Sequence, residues 1–227
     1  MSPRIRRVIL VGGTFDPPHR GHTLLPELLR DTRLADAGIV FVPAGVSPFK
    51  AGQVQTSAEH RIAMLRLAIE GIPRAAVWTD EIDRSERDAG RPSFTVDTIR
   101  RAASIAPGVE LHLSIGADQA LTFHKWREYG EIMRRAQVHV LPRGKWLTAE
   151  TFGKEMAKSG AWTADEIEGW VFRFVDLGGA YETLATVSAT RIREGVREYG
   201  AYWASAWMAL PVCRYIEVHG VYGGGGA

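Results

Sequence analysis

The sequence predicts an α/β fold, a doubly wound parallel sheet with a helical C-terminal part. Three observations predict it. Short apolar runs alternate with longer amphipathic segments, a glycine-rich turn follows the first apolar run almost without a gap, and the pattern becomes mainly helical after Pro142-Arg143-Gly144. Alternation of this kind produces a parallel sheet covered by helices on both faces.

The run at 7–11, Arg-Val-Ile-Leu-Val, reads as the first strand, with further strands expected at 39–43, 75–79, 110–115 and 137–141. Helices are expected between them at 21–34, 57–70 and 93–104, with one or two short pieces over 118–135. Ser57 precedes His60-Arg61-Ile62-Ala63-Met64-Leu65, a polar start followed by apolar residues at helical spacing. Ser93 with Asp97 nearby supplies another polar helix entry. Farther on, helices are expected at 148–158, 164–169, 188–197 and 212–219, and one more strand at 171–175. No Pro/Ser-rich linker, repeat or low-complexity stretch divides residues 1–222, so one domain is expected, followed by a flexible glycine tail at 223–227.

A chain of 227 residues can build one substantial core. Its net charge of +2 is too small to argue for general nucleic-acid or membrane binding. The basic residues are dispersed, without the aromatic–basic motifs of a nucleic-acid binder. Cys213 stands alone, so no internal disulfide can form and nothing points to secretion. It is expected as a small buried residue in a C-terminal helix. No apolar run approaches the roughly 20 residues needed to span a membrane. The basic start Met1-Ser2-Pro3-Arg4-Ile5-Arg6-Arg7 leads into too short an apolar stretch for a signal peptide, so the cytoplasm is the expected compartment.

The chemistry concentrates in Gly12-Gly13-Thr14-Phe15-Asp16-Pro17-Pro18-His19-Arg20-Gly21-His22. A buried strand, a glycine turn with two histidines, then a helix is a layout for holding phosphates. Glycines let the backbone approach an anion, and free N–H groups at a helix start complement its charge. His19 and His22 add directional donors. Two histidines at this spacing can also ligate a metal, but a stable zinc site usually needs at least three protein ligands, and no CxxC or HExxH supplies the rest. A purely structural role around the turn is the other alternative.

Parallel sheets bind ligands beyond the carboxyl ends of their strands. The glycine turn ends the first strand and Ser114-Ile115-Gly116-Ala117-Asp118 ends the fourth, so both are expected on one rim. Lys50, after the second strand, is expected on that rim as a phosphate contact. Val187-Ser188-Ala189-Thr190-Arg191-Ile192-Arg193 starts a helix with two hydroxyls and two guanidinium groups, which suit phosphate oxygens. Alone, it also reads as a capped helix with a basic face. Trp126 can stack on a flat heterocycle and Asp118 can accept hydrogen bonds from ribose hydroxyls. His112, His124 and His139 receive no functional role; the first and last sit within expected strands as packing or surface residues.

Together these residues resemble the nucleotidyltransferases marked by HxGH and ISSTxIR signatures, which have a Rossmann-like fold, and more closely the bacterial nicotinate-nucleotide adenylyltransferases. GGTFDPPHRGH and VSATRIR match the two signatures, RPSFTVDT, SIGADQALTFHKW and VLPRG match internal motifs in order, and LPVCRYIEVHGVYG resembles the usual C-terminal end. The resemblance implies transfer of AMP from ATP to nicotinate mononucleotide, with Mg²⁺ carried largely by ATP, giving nicotinate adenine dinucleotide and pyrophosphate. It places Gly12, Gly13, Thr14 and Phe15 at ATP, with His19 and His22 on its phosphates. Gly116, Asp118, Ser188, Thr190, Ile192 and Arg193 complete that site, and Thr95, Trp126 and Arg143 fall where the family recognises the pyridine mononucleotide. The catalytic set is His19, His22, Lys50 and Arg193. No metal ligand set is implied on the protein itself.

Three departures stand out. Phe49 replaces a histidine that often precedes the loop lysine, Ala189 replaces the second serine of ISST, and residues 145–186 match no motif. That last stretch fits either a contact between copies of the chain in a homo-oligomer or a lid. Rival readings are a sister transferase with nicotinamide mononucleotide or phosphopantetheine as acceptor, and a nucleotide sensor that has lost turnover.

Overall fold

The computed structural model describes residues 5–45, 56–88 and 92–223. Along the chain run β1 (Arg7–Gly13), α1 (Arg20–Arg33), β2 (Gly38–Pro43), α2 (Ala58–Ile69), β3 (Ala75–Val77) and α3 (Asp80–Arg87). Then come α4 (Thr95–Ile105), β4 (Glu110–Gly116), α5 (Ala117–Ala120), α6 (Tyr129–Arg135), β5 (Gln137–Leu141), α7 (Ala149–Lys158) and α8 (Ala164–Arg173). The short α9 (Glu182–Ala185) leads to α10 (Ala189–Tyr199) and α11 (Leu210–His219). Short 3₁₀ turns lie at Phe123–Lys125, Gly179–Tyr181, Ala201–Ala206 and Val221–Gly223.

The strands form one sheet in the order β3-β2-β1-β4-β5. β1 and β4 are parallel with Val11 opposite Ser114, and β4 and β5 are parallel with Ser114 opposite His139. The expected α/β class is therefore observed, and β1 and β4 point the same way and end at nearly the same level.

Contacts divide the chain into two compact units. The first comprises the residues up to 11, 25–39 and 94–186. Its core gathers Ile9 and Leu10 of β1, Leu111, Leu113 and Ile115 of β4, and Val138 and Val140 of β5, with Ile99 and Ile132 among the buried helix residues. Each such side chain contributes roughly 1.5–3 kcal/mol relative to exposure. In the unmatched stretch, Thr148 and Thr163 close capping boxes at the starts of α7 and α8. The second unit comprises 12–24, 40–93 and 187 onward. Met64 of α2, Ile192 and Val196 of α10 and Val212, Cys213 and Ile216 of α11 form its C-terminal core. Cys213 is buried in a helix, as expected.

Four expectations are corrected. The strand expected at 171–175 is mostly the end of α8, which continues through Trp170, Val171 and Phe172 to Arg173; only Phe174 makes an isolated parallel bridge, to Val140. The apolar residues there extend the helical pattern begun at the Thr163 cap. The strand expected at 75–79 stops at Val77, because Thr79 caps α3. α3, Asp-Glu-Ile-Asp-Arg-Ser-Glu-Arg, was not expected at all. Its single apolar residue gives no periodicity, but acidic residues in its first turn suit the helix dipole and Asp80 pairs with Arg84 at 2.8 Å. Finally, Ser93 does not start α4. Phe94 occupies the cap position without a side-chain bond, and the Ser93 hydroxyl donates to Glu81 at 3.0 Å.

Candidate active site

In the second unit, the last two residues of β1, Gly12 and Gly13, lead into a loop whose backbone turns sharply at Phe15, with φ of 52°. The turn tucks the Phe15 ring inward, only 1% exposed, against Phe41 and His22. A Cβ on Gly13 would stand 3.0 Å from that ring, so glycine there permits the close approach. Phe15 thus packs against His22 in a T-shaped contact (centroids 5.2 Å apart) rather than presenting an open face.

His19 and His22 stack with ring centroids 3.7 Å apart and 23° between planes. The His19 N–H donates to Nδ1 of His22 at 3.4 Å, and the His22 N–H donates to the His19 carbonyl at 2.7 Å. In that tautomer a neutral His22 carries its proton on Nε2, a donor of the kind that suits a phosphate oxygen. The start of α1 is held by the Arg20 N–H, which donates to the Trp207 carbonyl at 2.7 Å.

α10 reaches the same loop. One Arg193 N–H donates to the Asp16 carbonyl at 2.6 Å and another to the Thr190 hydroxyl at 3.4 Å. Ser188 caps α10 without a side-chain cap bond, and Thr190 is exposed in the first turn. Ile192 is different: its side chain is 2% exposed and packs in the core, so it can serve a ligand only through backbone.

Three residues that sequence reasoning missed complete this scaffold. Asp16, 6% exposed, accepts from the Tyr222 hydroxyl at 2.6 Å and from the Thr56 N–H at 3.2 Å. Arg61, also buried, donates to the carbonyls of Thr14 at 3.0 Å, Ala44 at 2.9 Å and Thr56 at 3.1 Å. Desolvation lowers the Arg61 pKa from its ordinary value, opposed by the charge of Asp16. Asp16 lay inside the recognised motif and Tyr222 inside the C-terminal match, yet nothing in one dimension pairs residues 206 positions apart.

The first unit holds the remaining assignments. A Cβ on Gly116 would lie 2.5 Å from Oδ1 of Asp118 and 3.4 Å from Arg143, so these three residues meet at the end of β4. Asp118 is exposed there, and the Arg143 backbone bridges Trp146. Trp126 is half-buried against Phe123 (4.9 Å between centroids), and Thr95 opens α4. Phe49 and Lys50 lie outside the described residues. Among the described residues no group of three His, Cys, Asp or Glu side chains is arranged to hold a metal ion. The donors at the loop (imidazoles, amides and a guanidinium) suit phosphate oxygens. A cleft of about 520 Å³ is lined by His19, Arg20 and Thr23 on one hand and by apolar residues such as Leu24, Leu67 and Pro211, with Glu70, on the other.

A family model described as Cytidylyltransferase-like matches residues 10–195, which spans both signatures. A protein described as a probable nicotinate-nucleotide adenylyltransferase, from Stenotrophomonas maltophilia, is 32% identical over 94% of this chain and 96% of its own. The chain belongs to the nicotinate-nucleotide adenylyltransferase family. A relative with the same description from Gemmatimonas aurantiaca is 36% identical over 60% of this chain, a match that spans 62% of that protein. The adenylyltransferase fold is shared more widely. A nicotinic acid mononucleotide adenylyltransferase of Plasmodium falciparum, solved in complex with NaAD, superposes with a TM-score of 0.67 at 13% identity, covering 96% of this chain and 98% of that one.

Proposed function

We propose that this chain transfers AMP from ATP to nicotinate mononucleotide, releasing pyrophosphate and forming nicotinate adenine dinucleotide for NAD biosynthesis. The observation that carries the reading is the stacked His19–His22 pair joined by the Asp16 carbonyl to Arg193 at the start of α10. Family membership supplies the acceptor.

A phosphate oxygen of the acceptor attacks the α-phosphorus of ATP. A new P–O bond forms as the bond to the bridging oxygen of pyrophosphate breaks. The attacking oxygen is already anionic, so no side chain need deprotonate it. Catalysis therefore comes from alignment and from neutralising charge on the phosphates. His19, His22 and Arg193 are assigned that work, with Lys50 added from the family pattern. Ser188, Thr190 and the backbone of Gly12, Gly13 and Thr14 hold phosphate oxygens. Mg²⁺ enters with ATP and neutralises part of the triphosphate charge. From the family pattern, Asp118 takes ribose hydroxyls, and Thr95, Trp126 and Arg143 take the pyridine mononucleotide. This reading treats residues 1–222 as one nucleotidyltransferase domain working in the cytoplasm. Among the described residues, no helix is long and apolar enough to cross a membrane.

The direct test incubates the purified chain with ATP, Mg²⁺ and nicotinate mononucleotide and identifies products by mass. Equimolar nicotinate adenine dinucleotide and pyrophosphate are expected. ATP that stays intact, or that yields only ADP, contradicts the reading.

A further inference from the structure

α11 ends at Gly220 in the left-handed conformation, with φ of 60°, which reverses the chain. Val221 then inserts into the core, 6% exposed, and Tyr222 follows with φ of 72°. A tyrosine held at positive φ is a costly backbone state, of order 1 kcal/mol or more, that the surrounding contacts must stabilise. Here the contact is specific: the phenol hydroxyl donates to Oδ1 of Asp16 at 2.6 Å, with the Met64 sulfur 4.0 Å away. The other carboxylate oxygen is taken by the Thr56 N–H. A buried carboxylate needs such donors, and this one is clamped at both oxygens. The peptide of the same residue carries the carbonyl that holds Arg193, and it leads through Pro17 and Pro18 into His19.

We infer that Tyr222 is a positioning residue for the transfer reaction, using Asp16 to hold Arg193 and the His19–His22 loop in register. The inference rests on the adenylyl-transfer reading above. Tyr222 touches no reacting atom; it acts by fixing the residue to which the catalytic guanidinium is tied. Burial, reinforced by the Asp16 charge, pushes the phenol's pKa well up, so the hydroxyl stays a donor at working pH. The C-terminal turn thereby becomes part of the catalytic apparatus.

Tyr222→Phe removes only the hydroxyl. Pyrophosphate release, with ATP and nicotinate mononucleotide each varied, is measured for the wild type, Tyr222→Phe, Asp16→Ala and the double variant, with a thermal melt for each. Asp16→Asn replaces Asp16→Ala should the latter not fold. Expected for Tyr222→Phe is a kcat about tenfold lower or more, with both KM values little changed. In the double variant the loss should not exceed that of the Asp16 variant alone. An active wild type with unchanged kcat in Tyr222→Phe, whether or not its melting temperature falls, overturns the inference and leaves Tyr222 a structural anchor. Independent, multiplying losses in the double variant also overturn it. An inactive wild type would instead overturn the functional reading, and the positioning role with it.

Discussion

His22 shows how few atoms the proposed chemistry needs. Its ring is fixed on one side by Phe15 and on another by His19, and its Nδ1 accepts from the His19 N–H. A donor held this way costs little reorganisation when charge shifts on the phosphates. His22→Ala is expected to lower kcat by two or more orders of magnitude, about 3 kcal/mol for the loss of one preorganised donor. Steady-state pyrophosphate release, with circular dichroism to verify folding, checks this; near-normal turnover would remove His22 from the mechanism. His19 and His22, three positions apart, and Arg193, inside its own short motif, could be singled out in the sequence because each motif is local. Asp16, Arg61 and Tyr222 were not, because a buried hydrogen-bond hub forms only when distant segments meet. Phe15 and Ile192 carry the converse lesson. Both sit in motifs that the resemblance assigns to nucleotide, yet their side chains are spent on packing.

At the scale of elements, apolar periodicity identified the five strands and most of the helices, and it failed where periodicity was absent or misleading. α3 has almost no apolar face, so charge placement and an ion pair take its place. Residues 171–175 carry an apolar run that reads equally as strand or helix end, and only the Thr163 capping box upstream decides for helix. α10 depends on a close approach that sequence alone does not announce. A Cβ on Gly195 would stand 2.1 Å from the Trp203 ring, in the 3₁₀ segment that follows. Gly195→Ala must therefore displace the indole or the helix, and overpacking of this kind typically costs about 1–3 kcal/mol. A urea midpoint shifted down without a change in slope is expected; an unchanged midpoint would show that Trp203 moves freely aside.

For the molecule as a whole, stability should depend on a histidine pair of the first unit, the buried His112 and the half-buried His139. His112 Nδ1 and His139 Nε2 lie 2.9 Å apart between β4 and β5. Burial, with the neighbouring charges of His112, Arg33 and Arg173, pushes His139 down to about 4. Burial also lowers His112, with Glu110 and Asp36 opposing and Arg7 assisting. A base with a depressed folded-state pKa binds protons more readily when unfolded. Its contribution is thus fully present above about pH 6.5, the unfolded value, and is lost as pH falls toward 4. The melting temperature should drop across that window, and His139→Gln should flatten the dependence; an unaltered slope would locate the acid sensitivity elsewhere. The central claim concerns the reaction, and acceptor choice tests it most directly. The measurement is pyrophosphate release with ATP and Mg²⁺, comparing kcat/KM for nicotinate mononucleotide and nicotinamide mononucleotide. Strong preference for the nicotinate form is predicted. Equal or reversed preference would contradict the assigned acceptor, and no release with either would leave a nucleotide-binding protein without turnover.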